Sequence, residues 1–188
     1  INTEYIVWQS NINDQGERSG NVPRDGLIHE LIFTQSLTDK IGDMHARWGR
    51  HGMTRKNHGI KFRGSDFVSL TGVDLGGPMT IAFWARWDEI SEWSRVLDFT
   101  DFATSPSIEA WDTIRMSGNG SEPKLNFTIL NGLDSDANPN SEDVGGGTIV
   151  LGEWTHVVGT VDTDNGMILY QDGAEVGTNT SGHEPVIK

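Results

Sequence analysis

Residues 152–173, GEWTHVVGTVDTDNGMILYQDG, leave the chain little choice of local structure. Trp154, His156, Val158 and Thr160 alternate with Thr155, Val157, Gly159 and Val161, the period of two that gives a strand two distinct faces. Asp162-Thr163-Asp164-Asn165-Gly166 then supplies the Asx and glycine chemistry of a tight reversal. Met167 to Gln171 returns as a second strand with Ile168 and Tyr170 on one face, and Asp172-Gly173 signals another hairpin. Two hairpins in succession specify an antiparallel sheet, and the whole stretch reads as scaffold rather than site.

The rest of the chain is consistent with an all-β molecule. Ile81, Phe83, Ala85 and Trp87 share one face of a strand from Met79 to Trp87, and Ala82, Trp84 and Arg86 share the other. With an apolar residue at nearly every position, this is a central strand covered on both sides, its aromatics core rather than a sugar-stacking platform. Ser94–Phe99 is the next strand. Thr113–Met116 and Leu125–Leu130 follow, joined by the Gly/Asn connection Ser117–Ser121. Leu125, Phe127 and Ile129 alternate with Asn126, Thr128 and Leu130, which predicts one buried and one partly wet face. Asn131 to Gly147 is expected to be a long loop, functional or disordered, and Thr148–Leu151 a short strand. No internal repeat appears.

Toward the N-terminus the pattern is less regular. Residues 1–25 form a polar arm around Tyr5-Ile6-Val7-Trp8, a patch that reads either as an edge strand or as a chance cluster in a disordered lead-in. His29-Glu30-Leu31-Ile32-Phe33 reads as the first sandwich strand, with a short helix from Leu27 as the competing assignment. Gly59–Leu70 holds two short strands around Arg63-Gly64-Ser65-Asp66.

Composition narrows the function classes. A chain of 188 residues makes one domain, about 70% of whose extended surface can be buried. No run approaches eighteen apolar residues, so no spanning helix is expected. The absence of cysteine excludes disulfides, thiolate metal sites and a cysteine nucleophile. The net charge of −13 is uneven: residues 1–63 hold nine Lys and Arg against seven Asp and Glu, whereas residues 64–188 hold five against twenty. Such an acidic body argues against nucleic acid and anionic membrane surfaces and suits a secreted or cell-surface module that takes up Ca²⁺. The chain starts at Ile1, so the lack of a visible signal peptide says nothing about export.

Several motifs bear on chemistry. Arg47, Arg50, Arg55, Lys56, Lys61 and Arg63 concentrate between Gly42 and Arg63, with His45, His51 and His58 among them. The segment reads as a loop for sulfated or uronic-acid glycans, or as a solvated loop that offsets the acidic body. Its histidines, six and seven apart, share no helix face, so a three-histidine metal site would need loop folding. Asp134-x-Asp136-x-Asn138-x-Asn140-x-Glu142-Asp143 places oxygens at every second position, either an ion loop or a solvated acidic loop. It is no EF-hand, because Pro139 and Gly145 stand where the turn glycine and bidentate glutamate belong. Neither a Gly-x-Ser-x-Gly elbow, a P-loop nor a dinucleotide fingerprint occurs. Glu109 and Asp112, the nearest carboxylate pair, would face opposite sides of a strand, which disfavours a glycoside hydrolase. His156 is expected to be a hydrogen-bonded core or half-buried histidine rather than a ligand. The sequons at Asn119, Asn126 and Asn179 are about as many as chance gives in so Ser/Thr-rich a chain.

Taken together, G-x-W-T-H-V, L-Y-x-D-G, Gly64-Ser65-Asp66 before Phe67-Val68-Ser69-Leu70, Thr80–Trp87 and Trp93–Phe99 resemble the concanavalin A-like, laminin-G-like domains over roughly Leu27 to Ile187. The resemblance implies an antiparallel jelly-roll β-sandwich over residues 26–188. It further implies a non-catalytic extracellular recognition module for carbohydrate or a cell-surface ligand, within a larger adhesin-like protein of neighbouring domains. Alternatives are a ligand-free scaffold or an accessory domain of a polysaccharide-degrading enzyme. Glucanases of this fold carry Glu-x-Asp-x-x-Glu on one strand, and no such run occurs here. Ca²⁺ at the sandwich edge is implied too, with Asp98 and Asp101 as candidates beside Asp134 and Asp136. Sugar sites are expected on the loops 100–112 and 131–147. The resembling domains add a closing strand after the Y-x-D-G hairpin. None is visible before Lys188, which gives the expectation of a split domain completed by another segment or by the N-terminal arm, since an uncovered edge is a liability.

Overall fold

A computed structural model of the protein describes residues 4–8, 26–33, 36–49, 54–56, 59–62, 66–71, 75–92, 94–100, 113–119, 121–133 and 139–185. The chain divides into two compact units, Ile1–Val73 with Ile81–Trp84, and Asp74–Thr80 with Ala85–Lys188. Every named element among the described residues is a β-strand.

In the first unit β1 (Glu4–Trp8) pairs in parallel with β2 (Leu27–Leu31). The residues from Leu27 are extended rather than helical, and Leu27, His29, Glu30 and Leu31 are all buried. A strand that hides both faces erases the amphipathic signal by which helix and strand are told apart. Beyond β2, the carboxylate of Asp39 ties the chain back. It accepts from the backbone N–H of Glu30 at 2.9 Å, Ile41 at 3.0 Å and Met44 at 3.3 Å, and lies 2.5 Å from His29 Nδ1. β3 (His45–Trp48), the hairpin of β4 (Thr54–Lys56) and β5 (Gly59–Lys61), and β6 (Val68–Thr71) follow, with β3 antiparallel to β6. β7 (Met79–Arg86) gives Ile81–Trp84 to this unit and its ends to the other. Met79, Ile81 and Phe83 are buried while Ala82 and Trp84 are half-buried, which follows the predicted alternation.

The second unit holds a four-stranded antiparallel sheet, order β11-β10-β9-β8, from β8 (Arg95–Thr100), β9 (Thr113–Asn119), β10 (Glu122–Leu133) and β11 (Pro139–Gly146). β12 (Trp154–Asp162), β13 (Gly166–Gln171) and β14 (Ala174–Asn179) pair antiparallel in sequence order. The turns follow from local chemistry. Asp162 Oδ1 accepts from the N–H of Asp164 at 2.8 Å and of Asn165 at 2.7 Å, closing the first reversal. Asp172 and Gly173, at φ +50° and +83°, make the second with the left-handed residues a two-residue hairpin demands.

Thr155, Val157, Gly159 and Val161 form the buried face of β12, beside Met167 and Leu169 of β13. This face packs on Met116 and Phe127 of the other sheet, while Val144 lies against Gly177 of β14. A Cβ on Gly159 would overlap the methyl of Met116 and approach the Phe127 ring to 3.0 Å. The two sheets are the layers of an antiparallel jelly-roll β-sandwich.

Three expectations need correction. Much of the expected loop 131–147 is strand: β10 runs to Leu133 and β11 starts at Pro139, so only 134–138 connects them, outside the described residues. Thr148–Leu151 forms no strand, because the Gln171 amide satisfies Thr148 instead, accepting from its N–H at 2.9 Å and donating to its C=O at 2.8 Å. Finally, Asn126 and Thr128 are buried like Phe127 and Ile129, so of the face expected to be partly wet only Leu130 is half-exposed.

Candidate ligand-binding face

Strand register builds this face row by row. Arg95, Ser117, Asn126 and Gly145 form one row across β8, β9, β10 and β11; Asp98, Arg115, Thr128 and Asp143 form the next; Thr100, Thr113, Leu130 and Ser141 form the third. Ten of these twelve positions carry a polar side chain. The intervening rows, Leu97, Met116, Phe127, Val144 and Phe99, Ile114, Ile129, Glu142, point the other way, into the sandwich. The polar face therefore looks away from the core.

Its centre is nevertheless withdrawn from water. Ser117 and Thr128 are each 2% exposed, Thr113 6% and Asn126 7%. Partners account for part of this. Asn126 Nδ2 donates to Thr128 Oγ1 at 3.1 Å, Thr100 Oγ1 donates to Asp98 Oδ1 at 2.6 Å, and the hydroxyls of Thr100 and Thr113 are 3.2 Å apart. Two atoms are left over. Among the described residues, Arg115 Nε and Ser117 Oγ are buried without a hydrogen-bond partner. The Arg115 guanidinium is held below its ordinary pKa by burial and by the nearby Arg95, against the opposing pull of Asp98 and Asp143.

Of the candidate metal ligands, Asp98 lies on β8 within this face. Its carboxylate is engaged by the Arg95 guanidinium and by Thr100 Oγ1, so a cation there would have to displace an arginine. Asp101, Asp134 and Asp136 lie outside the described residues, as do Glu109, Asp112, His51, His58, Arg50 and Arg63. Thr100 pairs with Thr113 and Leu133 with Pro139, so the segments 101–112 and 134–138 depart from one end of the sheet. That end is where the sequence directed the search for a ligand. Among the described residues no three His, Asp or Glu are grouped to hold a metal ion. The described residues thus do not by themselves fit a Ca²⁺ site.

Three further candidates find plain structural places. Glu142 and Asp143 belong to β11, where Glu142 accepts from Asn179 Nδ2 at 3.0 Å. His156 is half-buried on β12; burial lowers its pKa, with Asp172 pulling the other way. The residues that sequence reasoning missed are Arg115, Ser117 and Thr113. Their alternation with Ile114 and Met116 was visible, but not the rows they complete.

A family model described as the concanavalin A-like lectin/glucanases superfamily matches residues 62–188, a span that contains β6 to β14. No curated protein matches the chain.

Proposed function

Because the chain belongs to the concanavalin A-like lectin/glucanase superfamily, we propose that it is a non-catalytic recognition module that binds carbohydrate on the polar face of β8–β11. One observation carries this reading: a sheet face of ten polar positions that looks away from the core, with Arg95, Asp98, Ser141 and Asp143 exposed on it. Sugar recognition calls for such a surface, donors and acceptors set on rigid strands.

The same geometry bears on catalysis. Asp98 and Asp143 lie three strand spacings apart, about 14 Å between backbones. Glycoside hydrolysis needs its carboxylates roughly 5–9.5 Å apart, so this pair does not suit that chemistry. A ligand-free scaffold is the competing reading.

The module acts outside the cell, within a larger adhesin-like protein whose neighbouring domains are further partners. Among the described residues no helix is long and apolar enough to cross a membrane. Ca²⁺ assists binding from the end of the sheet where Asp101, Asp134 and Asp136 lie in sequence. The test is a glycan array with and without Ca²⁺, paired with melting in Ca²⁺ and in EDTA. Binding to a defined glycan class is expected, with a higher melting temperature in Ca²⁺. No binding in either condition would leave the scaffold reading standing, and identical melting would remove the cation.

A further inference from the structure

We infer that the β3–β6 ribbon of the first unit is a separate binding site for a uronate glycan, a sugar chain with a carboxylate on each residue. Phe67 is its stacking platform and Arg47 its carboxylate contact, and both are exposed. The inference goes beyond the proposed face of β8–β11 and does not need that face to bind anything.

Strand register builds the site. Arg47 of β3 pairs with Ser69 of β6, and the N–H of Gly49 donates to the C=O of Phe67 at 3.0 Å, which extends the ladder beyond Trp48 and Val68. Directly opposed residues share a face and every second residue returns to it, so Arg47, Gly49, Phe67 and Ser69 stand on one side of the ribbon. Gly49 has no side chain, and the Phe67 ring fills the space that one would need: a Cβ there would overlap the ring's Cδ2, Cε2 and Cζ. The ring is thus seated on the glycine with the rest of its surface open, at 48% exposure. Stacking on a ring already held in place costs little side-chain entropy. Arg47 is the diagonal neighbour of Phe67, about 7 Å away between backbones and within the span of one sugar residue. Among the described residues no carboxylate pairs with its guanidinium.

Each group calls for a different part of one ligand. The negative face of an aromatic ring attracts the polarised C–H groups of a sugar ring, and a guanidinium grips a carboxylate with two parallel hydrogen bonds. Charge then selects the class. The first unit holds nine Lys and Arg against eight Asp and Glu, the second five against nineteen. In the second unit the exposed cations Arg86, Arg95 and Lys124 are each paired with a carboxylate. An acidic chain is therefore repelled by the second unit and finds an open cation on the ribbon. One open guanidinium beside one ring matches a single carboxylate per sugar, whereas a densely sulfated chain calls for a cluster of cations.

The test measures by calorimetry the binding of the whole chain to galacturonate, glucuronate and mannuronate hexamers, to the same hexamers with their carboxylates methyl-esterified, and to a heparin-derived hexamer. At least one uronate hexamer is expected to bind, more tightly than its ester, and to weaken as salt rises because the contact is an exposed charge. Arg47→Gln should weaken it by roughly ten- to a hundredfold, the loss of charge-assisted hydrogen bonds, and bring acid and ester to the same affinity. Phe67→Ala should weaken acid and ester alike, by roughly tenfold. Gly49→Ala alters neither contact residue, yet its Cβ pushes the ring from its seat and should act like Phe67→Ala. An ester bound as tightly as its acid, or heparin bound more tightly than every uronate, overturns the charge class. Uronate binding that Arg47→Gln and Phe67→Ala leave unchanged, in variants of unaltered melting temperature, overturns the site. Binding of neutral glycans alone overturns the inference and leaves the β8–β11 reading in place, and binding of no sugar at all overturns both.

Discussion

Asp39→Ala tests whether a single carboxylate organises the segment that follows β2. The Asp39 side chain is 2% exposed and accepts from the N–H of Glu30, Ile41 and Met44 while facing His29 Nδ1. Truncation leaves those donors without an acceptor. Ile41 is exposed and water replaces its lost partner, but Glu30 and Met44 are buried. Each buried orphaned donor costs about 1–3 kcal/mol. Two amides together with the His29 ring give about 3–5 kcal/mol, the range found when one partner of a buried charged pair is removed. Against a stability of about 5–15 kcal/mol that is a large loss.

The pH dependence gives an independent check. Burial would raise the Asp39 carboxyl, but the amides of Glu30 and Ile41, the His29 ring and the amide of Gly42 outweigh it and hold it below its ordinary value of 3.8. A carboxyl depressed by folding contributes its stability above the unfolded pKa and loses it as pH falls through the folded one. The gap in stability between the unmodified chain and Asp39→Asn should therefore be constant above about pH 5 and close in more acid solution. Denaturant melts give the size of the loss, and amide exchange at Glu30 and Met44 gives its location. A loss under about 0.5 kcal/mol, or unchanged exchange at those two amides, would refute the reasoning.

Three shorter predictions concern the sandwich. Gly159→Ala, whose new Cβ meets the Met116 methyl and the Phe127 ring, should destabilise by about 1–3 kcal/mol in denaturant melts, as overpacking does. Gln171→Ala should cost about 0.5–1.5 kcal/mol and raise amide exchange at Thr148, whose backbone it serves; the figure stays small because Thr148 is exposed to water. His156 should titrate below 6.5 by NMR, because burial disfavours its charged form. Since the folded pKa is the lower one, stability is complete above 6.5 and declines as pH falls toward the folded value, and His156→Gln should remove that part of the slope.

The hairpins around Asp162 and Asp172 were legible in the sequence because their causes are local, spanning two or three residues. The stretch from Asn131 to Gly147 was not, for two reasons that the structure makes plain. Gly132, at φ +67°, and Pro139 punctuate it like a loop, yet they sit at an irregularity in the register between Leu130 and Leu133 and at the first residue of an edge strand. Both residue types are tolerated there. The oxygens at every second position also have a dual meaning. A loop can wrap them around an ion, but Asn140 and Glu142 alternate with Ser141 and Asp143 because β11 is a strand. The Asp39 anchor was invisible for the opposite reason, since its partners Glu30 and Met44 gain meaning only once the chain has turned back.

The polar face shows where a period of two stops being informative. Thr113, Arg115 and Ser117 alternate with Ile114 and Met116 in the way any half-solvated strand does, and Asn126 and Thr128 alternate with Phe127 likewise. Alternation says that the two faces differ; it does not say that the polar one is wet. A solvated serine has water for a partner, whereas Ser117 at 2% exposure forfeits about 1–3 kcal/mol if its hydroxyl stays unpaired. The same holds for Arg115 Nε, with a larger penalty because the group is charged. A valine at these two positions would keep the strand and remove the deficit. Whether water reaches a polar face therefore depends on the packing around the strand, and β9 and β10 carry Thr113, Ser117, Asn126 and Thr128 where it does not.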